Sequence, residues 1–366
     1  MNQDSTAVFG RSTDILQNEV AAWKQQVEKR LWEVFRVFPK QLPTTTPEVR
    51  TAVRLFREFT LRAASKRIRA YLVRVGYATA RPAIPSALVD VAAAVELIQT
   101  YLLIHDDIID RDEVRRGGPT VHAALRHSLS GPRAERRRLS NSLALLIGDL
   151  AFSWAMRLVV ESRFPAERRL KALGALLETH ETCVGGQYLD VLPLTRKSFT
   201  RARVESIARR KTASYTFVGP LTAGAFLAGA PHSTLQSLSA YGESVGMAYQ
   251  WIDDLDDVLS LRSGLASNDL DEGKGTAVVL ATRRVLSARD RARFDRLLLT
   301  VPKTKVAVQE LTRYVQAAQV EKLVRAEAAG FAKQGIQSLT QSKALRPEAR
   351  NRLVELAHYI LGFKTE

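Results

Sequence analysis

The stretch "LVDVAAAVELIQTYLLI", Leu88 to Ile104, constrains the fold most, because it is apolar on nearly every helical face. A helix apolar all round cannot lie on a surface and has to run centrally through a bundle. The spacing predicts this helix from near Ser86 to about Asp110. Its neighbours read as helices too. "DILQNEVAAWKQQVEKRLWEVF" and "RLVELAHYILGF" carry the helical period, while alternating Val/Ile/Thr runs bounded by turn residues are nearly absent. Breakers such as "FPKQLPTTTPE", "ARPAIPS", "RRGGPT" and "GAPHS" divide the chain into about ten or more helices with short connections. No fixed-period repeat or low-complexity linker interrupts residues 1–366. The expectation is a single all-α domain, with residues 1–45 a helical extension within it.

The central helix ends in a charge problem. "LLIHDDIIDRDEVRRGGPTVH" delivers Asp106, Asp107 and Asp110, and "QWIDDLDDV" repeats the spacing with Asp253, Asp254 and Asp257. Residues four apart share a helix face, with a rise of about 6 Å between them. Asp106 and Asp110 should therefore point together with Asp107 alongside, and likewise Asp253 and Asp257 with Asp254. Each cluster is expected near a helix C-terminus, where the macrodipole already disfavours negative charge. Something positive must bind, and hard oxygen ligands in open geometry suit Mg²⁺, which readily shares phosphate oxygens. One such cluster alone reads best as a solvated helix end. Two, each reached by an apolar helix, argue against that. The oxygen-rich calcium loop with its central glycine is missing.

The helix of the second motif begins at "HSTLQ", where Ser233 and Gln236 form a capping-box pattern, and ends by Gly264. Gly242 and Gly246 lie on one of its faces, which predicts a closely approaching neighbour. Cations complete the pattern: Arg115 and Arg116 after the first cluster, Lys66 and Arg69 in "ASKRIRAYL", Lys211 in "RRKTASYT" and Lys274 in "DLDEGKGT". Singly each reads as a surface charge; together with two acidic clusters they describe a site for more than one phosphate group.

The formal charge of +16 attracts polyanions. No basic stretch alternates with aromatics as a single-strand groove would, so no nucleic-acid partner is expected. A single cysteine, Cys183, excludes an internal disulfide and fits a reducing compartment. The N-terminus lacks a signal pattern, and the longest nearly uncharged run, "TFVGPLTAGAFLAGA", falls short of the roughly 18 residues a spanning helix needs. The expected location is cytoplasmic.

Seven ordered motifs between about Lys66 and Thr276 resemble the trans-isoprenyl diphosphate synthases, or polyprenyl synthetases: "SKRIRA", "LIHDDIIDRDEVRRGGPTVH", "GDLAF", "GGQYLD", "KTASY", "YQWIDDLDDV" and "DLDEGKGT". The resemblance implies an all-α bundle around a deep cavity, usually a homodimer. It implies head-to-tail condensation of isopentenyl diphosphate with an allylic diphosphate (dimethylallyl, geranyl or farnesyl). Carried over by position, Asp106, Asp107 and Asp110 would hold Mg²⁺ on the allylic diphosphate, with Asp253 facing them on a further ion, supported by Asp254 and Asp257; three ions per site are implied. Arg115, Lys211 and Lys274 would bind the allylic diphosphate. Lys66, Arg69, Gln99 and Arg116 would bind isopentenyl diphosphate. Gln187, Asp190, Thr212 and Gln250 would line the reacting centre. His105 and His122 read as structural.

Three positions depart from the family pattern. The common "GGKR-x-RP" is here "SKRIRA"; Gln99 stands where many members have histidine; and Gly264 is followed by Leu265 where Gly-Lys is usual, with Arg262 as a nearby substitute. Product length is read from the helix before the first motif. An aromatic, Tyr101, stands five residues before Asp106, Leu102 follows it, and the motif has no insertion. That combination resembles archaeal-type geranylgeranyl diphosphate synthases, so twenty carbons is the expectation, with fifteen next. The competing classes fit less well. A class I terpene cyclase or head-to-head synthase would not need Lys66 and Arg69. A non-catalytic partner subunit typically loses aspartates that are intact here. Contact with anionic membrane would suit the basic surface and a lipophilic product.

Overall fold

The computed structural model describes residues 3–42, 46–62, 65–195, 199–260, 268–300, 303–340 and 343–362. Contacts gather the chain into two compact units: Met1–Gly174 with Ala223–Ala230, and Ala175–Thr222 with Pro231–Glu366.

The first unit contains α1 (Gln3–Val37), α2 (Pro47–Thr60), α3 (Ile68–Ala78), α4 (Leu88–Ile109), a hairpin of β1 (Val114–Arg115) and β2 (Gly118–Pro119), α5 (Val121–Ser128) and α6 (Arg133–Glu161). On α1, Leu16, Val20, Trp23, Val27, Leu31 and Val34 recur every three or four residues and are all buried. That stripe packs toward α3 and α4, and each such side chain stabilises the fold by about 1.5–3 kcal/mol. The Trp23 indole donates to the Ala70 carbonyl at 2.8 Å, satisfying its one polar atom. Thr46 caps α2 through its side chain, with Pro47 following at the first helical position. Phe35, Phe38 and Phe56 surround Trp154 of α6 at ring distances of 5.3–5.7 Å.

As its all-round apolarity predicts, α4 is buried from Val91 to Thr100. It packs chiefly on α6, then α3 and α1. The "TFVGPLTAGAFLAGA" run proves less telling than expected. By length and composition α4 and α6 are the two helices apolar enough to cross a membrane among the described residues. In α4 two-thirds of the apolar window is buried inside the unit (67%), as for a core helix.

The second unit contains most of α7 (Ala166–Val191), α8 (Arg201–Ile207), a π-helical segment (Ala208–Val218), the start of α9 (Gly219–Ala228), and α10 (His232–Ser260). It continues with α11 (Asn268–Glu272), α12 (Ala277–Val285), α13 (Ala288–Leu299), α14 (Lys305–Ala318), α15 (Glu321–Thr340) and α16 (Pro347–Gly362). Its axis is α10, which packs on α15 and on the π-helical segment. Trp251 and Tyr241 are buried on α10 with their polar atoms used: the Trp251 indole donates to Glu327 at 3.1 Å and the Tyr241 hydroxyl to the Leu353 carbonyl at 2.6 Å.

Two local expectations need correction. Ser233 is not the cap of α10. The helix begins one residue earlier, and the Pro231 carbonyl accepts the first helical bonds from Thr234 and Leu235. The breaker "RRGGPT" is not only a breaker, since it folds into the β1–β2 hairpin, with Val114 opposite Pro119 and Arg115 opposite Gly118.

Candidate active site

In the first unit the acidic motif sits on the last turn of α4, with Asp110 as C-cap. Helical geometry separates its three aspartates. Asp106 and Asp110 are half-buried, whereas the Asp107 side chain is fully buried. Asp107 is therefore not simply alongside its neighbours: Arg115 turns back from the hairpin, donating from Nε to Asp107 and from Nη2 to Asp112 at 2.7 Å, with Asp106 3.9 Å away. Asp112 was absent from the sequence reading. It is placed by an N–H bond to the Asp107 carbonyl at 2.9 Å, after a left-handed Arg111. Burial pushes the Asp107 carboxyl up to about 7, with Arg115 opposing and Asp112 and Asp106 adding to the rise. Its Oδ2 is buried without a hydrogen-bond partner. A further cation would satisfy that oxygen.

One face of α4 carries Glu96 and Gln99. Glu96 accepts from Arg67 at 3.0 Å and from the Ala70 N–H at 3.2 Å, while Arg67 also donates to the Thr60 carbonyl at 2.6 Å. Arg67 takes φ 54°, a left-handed conformation held by these bonds. It fixes the "SKRIRA" turn, leaving Lys66 exposed and Arg69 half-buried. Arg116 on the hairpin turn joins this group. Burial lowers its pKa, Glu96 opposes, and Arg69, Arg67 and Arg115 lower it further. Arg67 and Arg116 thus face the buried Glu96 carboxylate, Arg69 lies near Arg116, and the buried Gln99 Oε1 has no hydrogen-bond partner. Guanidinium groups brought close together attract a multiply charged anion.

Tyr101 stacks edge-on against His105 at 4.6 Å and tilts over Phe152 of α6 at 5.2 Å. Leu102 beside it is half-buried. The His105 ring lies where a Cβ on Gly148 would be 2.3 Å from its Nε2, which explains the glycine of "GDLAF". His122 is buried beside the Thr120 hydroxyl at 3.2 Å. His105 is half-buried, its Nε2 3.2 Å from the Leu145 carbonyl.

In the second unit a cavity of about 100 Å³ is lined by Asp190, Lys211, Thr212, Gln250, Asp254 and Lys274, among others. Lys211 donates to Asp190 at 2.7 Å. Thr212 donates to Gln250 Oε1 at 2.5 Å, and Gln250 Nε2 to Asp254 Oδ1 at 2.6 Å. The Ala277 N–H, at the start of α12, donates to Asp254 Oδ2 at 2.7 Å. Both oxygens of Asp254 are thereby engaged within the protein. Asp253 is exposed and Asp257 half-buried. Gln187 is half-buried on α7 and outside this lining. Burial raises Asp254 well above the usual carboxylate range, Asp269 adding to the rise. Asp269, also missed in the sequence, is raised to about 7 by burial, with Lys274 opposing. Lys274 is paired with Glu272 at 2.8 Å.

Lys211 and Thr212 stand on the π-helical segment, a winding that clusters at functional sites. The paired glycines of α10 are an indirect trace of it in the sequence. A Cβ on Gly246 would meet the Ala213 Cβ at 2.5 Å, and one on Gly242 the Val218 N at 3.0 Å. Gly186 of α7 does the same from another side, with the Lys211 N at 2.4 Å from its would-be Cβ. Arg262, Gly264 and Leu265 lie outside the described residues.

The polyprenyl synthetase family model matches residues 53–315. The chain belongs to the polyprenyl synthetase family. It is a prenyltransferase of that family. It is 30% identical over 296 residues to the geranylgeranyl diphosphate synthase of Methanosarcina mazei, covering 78% of this chain and 83% of that one. Over 190 residues it is 35% identical to a (2E,6E)-farnesyl diphosphate synthase of Mycobacterium bovis, covering 52% and 48%. Among solved structures, the geranylgeranyl pyrophosphate synthase of Corynebacterium glutamicum, complexed with isoprenyl diphosphate and magnesium, superposes with a TM-score of 0.82 at 27% identity, covering 93% of this chain and 98% of that one.

Proposed function

We propose that this prenyltransferase, a short-chain isoprenyl diphosphate synthase, condenses isopentenyl diphosphate with dimethylallyl, geranyl and farnesyl diphosphates to a twenty-carbon product. The observation that supports the diphosphate chemistry is the gathering of Arg67, Arg69 and Arg116 near Glu96 and Arg115. Residues 1–366 are read as one catalytic domain, since the matched residues 53–315 draw on both units.

Lys66, Arg69, Gln99 and Arg116 bind isopentenyl diphosphate. Arg115, Lys211 and Lys274 bind the allylic diphosphate. In the first unit the carboxylate oxygens of Asp106, Asp107 and Asp110 suit Mg²⁺; in the second, those of Asp253 and Asp257 do, with Asp254 holding its neighbours in place. Among the described residues no three acidic, His or Cys side chains are gathered so as to enclose a metal alone. An ion that keeps waters and shares diphosphate oxygens fits such a site. Up to three bound ions would supply positive charge to the departing diphosphate.

The allylic carbon–oxygen bond breaks and the diphosphate leaves with the bonding electrons. Arg115, Lys211 and Lys274 stabilise it as its charge develops. The double bond of isopentenyl diphosphate then attacks the allylic cation, and the released diphosphate takes the proton lost. The Thr212 oxygen spends its hydrogen on Gln250, so its lone pairs face the cation without forming a bond. Asp190 keeps Lys211 aimed and Gln187 stands three residues before it on α7. Tyr101 and Phe152 form the floor that stops the growing chain.

A homodimer is proposed on the apolar residues that α6 leaves exposed, Leu143, Leu145 and Leu146. Light scattering after gel filtration tests it. A cytoplasmic enzyme touching anionic membrane is proposed from the +16 charge. Absence of sedimentation with anionic vesicles at physiological salt removes that contact.

The deciding experiment incubates purified protein with Mg²⁺, isopentenyl diphosphate and each allylic primer in turn, and identifies the dephosphorylated alcohols by mass spectrometry. Geranylgeraniol is expected. Farnesol would mean that a residue nearer the site closes the cavity. No product from folded protein would leave a non-catalytic subunit as the better reading.

A further inference from the structure

The hairpin that carries Arg115 and Arg116 has little stability of its own. Each strand has two residues, and an isolated two-stranded hairpin is marginal even when longer. Its turn holds Arg116 at φ 52° and Gly117 at φ 72°. Two left-handed residues make a tight hairpin turn, but a non-glycine residue there is strained. Something outside has to hold it.

Arg62, two residues beyond the end of α2, reaches both strands. Its Nη1 donates to the Arg115 carbonyl at 2.7 Å and its Nη2 to the Pro119 carbonyl at 2.5 Å. The guanidinium lies 5.0 Å from the centre of the Phe59 ring. Gly118 admits it: a Cβ there would be 3.0 Å from the Arg62 Cζ. A planar fork can bond two carbonyls at once in this way, and a lysine ammonium is a single point. From the hairpin held by Arg62, Arg115 reaches Asp107 and Asp112, and Arg116 stands among Arg67, Arg69 and Glu96. Arg62 belongs to none of the seven motifs.

We propose that Arg62 is a positioning residue for diphosphate binding: by tying both strands of the hairpin, it fixes where Arg115 and Arg116 present their guanidinium groups. This rests on reading Arg116 as part of the isopentenyl diphosphate site.

The test uses the full chain with Arg62→Ala, Arg62→Lys and Gly118→Ala, the last pressing on the same contact from the hairpin side. Steady-state kinetics are read alongside calorimetric titration with inorganic diphosphate. Each variant should raise KM for isopentenyl diphosphate about fivefold or more, with a smaller rise in KM for the allylic primer and a smaller fall in kcat through Arg115. Inorganic diphosphate should weaken in parallel. In an Arg116→Ala background, Arg62→Ala should add less than about twofold, because the two act through one element. Circular dichroism and melting identify any variant that does not fold, and the Lys and Gly118 variants then carry the test. Unchanged KM and diphosphate affinity in folded variants, or full additivity with Arg116→Ala, overturns the proposal. A wild-type chain making no product with any primer sinks the synthase reading instead, and the diphosphate titration still decides whether Arg62 acts through the hairpin.

Discussion

Gln250 donates to Asp254 at 2.6 Å, and that bond turns its amide oxygen toward the Thr212 hydroxyl 2.5 Å away. Asp254 is itself anchored by the Ala277 N–H. Replacing Asp254 by Asn gives Gln250 an ambiguous partner and frees its amide to flip. The Asn variant should lose about 10–100-fold in kcat with KM for both substrates within about threefold. The Ala variant should also lose about 1–3 kcal/mol of stability, since the buried Ala277 N–H loses its acceptor. Kinetics and urea unfolding measure the two effects. A normal kcat in the Asn variant would detach Gln250's orientation from the reaction.

Arg67 and Glu96 are among the most deeply buried charges of the first unit, with side chains 1% and 3% exposed. Arg67→Ala strands the Glu96 carboxylate and should cost about 3–5 kcal/mol. Arg67→Lys retains a charge near Glu96 but loses the bond to the Thr60 carbonyl, so it should cost less. Chemical denaturation decides the order. Equal losses would mean that the charge contributes little.

Tyr101→Ala and Phe152→Ala should each lengthen the main product, and the double variant should lengthen it further. The two rings pack at 5.2 Å and come from different helices. Mass spectrometry of the alcohols reads the outcome directly. An unchanged product in the double variant places the floor elsewhere.

Asp269 makes a pH-dependent prediction. Burial raises its carboxyl to about 7 in the folded chain, against about 3.9 when unfolded. A raised folded value favours folding most below the unfolded pKa, and that contribution is lost as pH rises through about 7. With metal chelated, Asp269→Asn should therefore match the wild type only below about pH 4, gain on it as pH rises, and be the more stable of the two by pH 8, by up to a few kcal/mol. Melting curves across that range test the sign. A gap that shrinks with rising pH contradicts it.

The central helix, the acidic motifs and most cations were legible because each depends on spacing along one helix. Leu88 to Ile104 announced its burial through composition, and Gly242 and Gly246 announced a close neighbour. The missed residues depend on the chain returning to itself. Asp112 and Arg62 gain meaning only once the hairpin folds, and Arg67 looked like one more surface cation until Glu96 closed over it. Phe152 faces Tyr101 across two helices that sequence spacing cannot pair. The π-helical winding of Ala208–Val218 left no periodic trace, since it differs from an α-helix in hydrogen bonding rather than in residue type.

Cys183 is buried and donates its thiol hydrogen to the Lys211 carbonyl at 3.3 Å. It is the chain's single sulfhydryl, so a thiol reagent can label the packing behind Lys211 at one position only. When opening and closing are fast relative to labelling, the rate counts the fraction of molecules in which α7 has parted from the π-helical segment. Without any engineered probe, this enzyme offers a stopwatch on the breathing of the segment that holds Lys211 and Thr212. Substrate analogues that slow the stopwatch would mark themselves as ligands of the closed form.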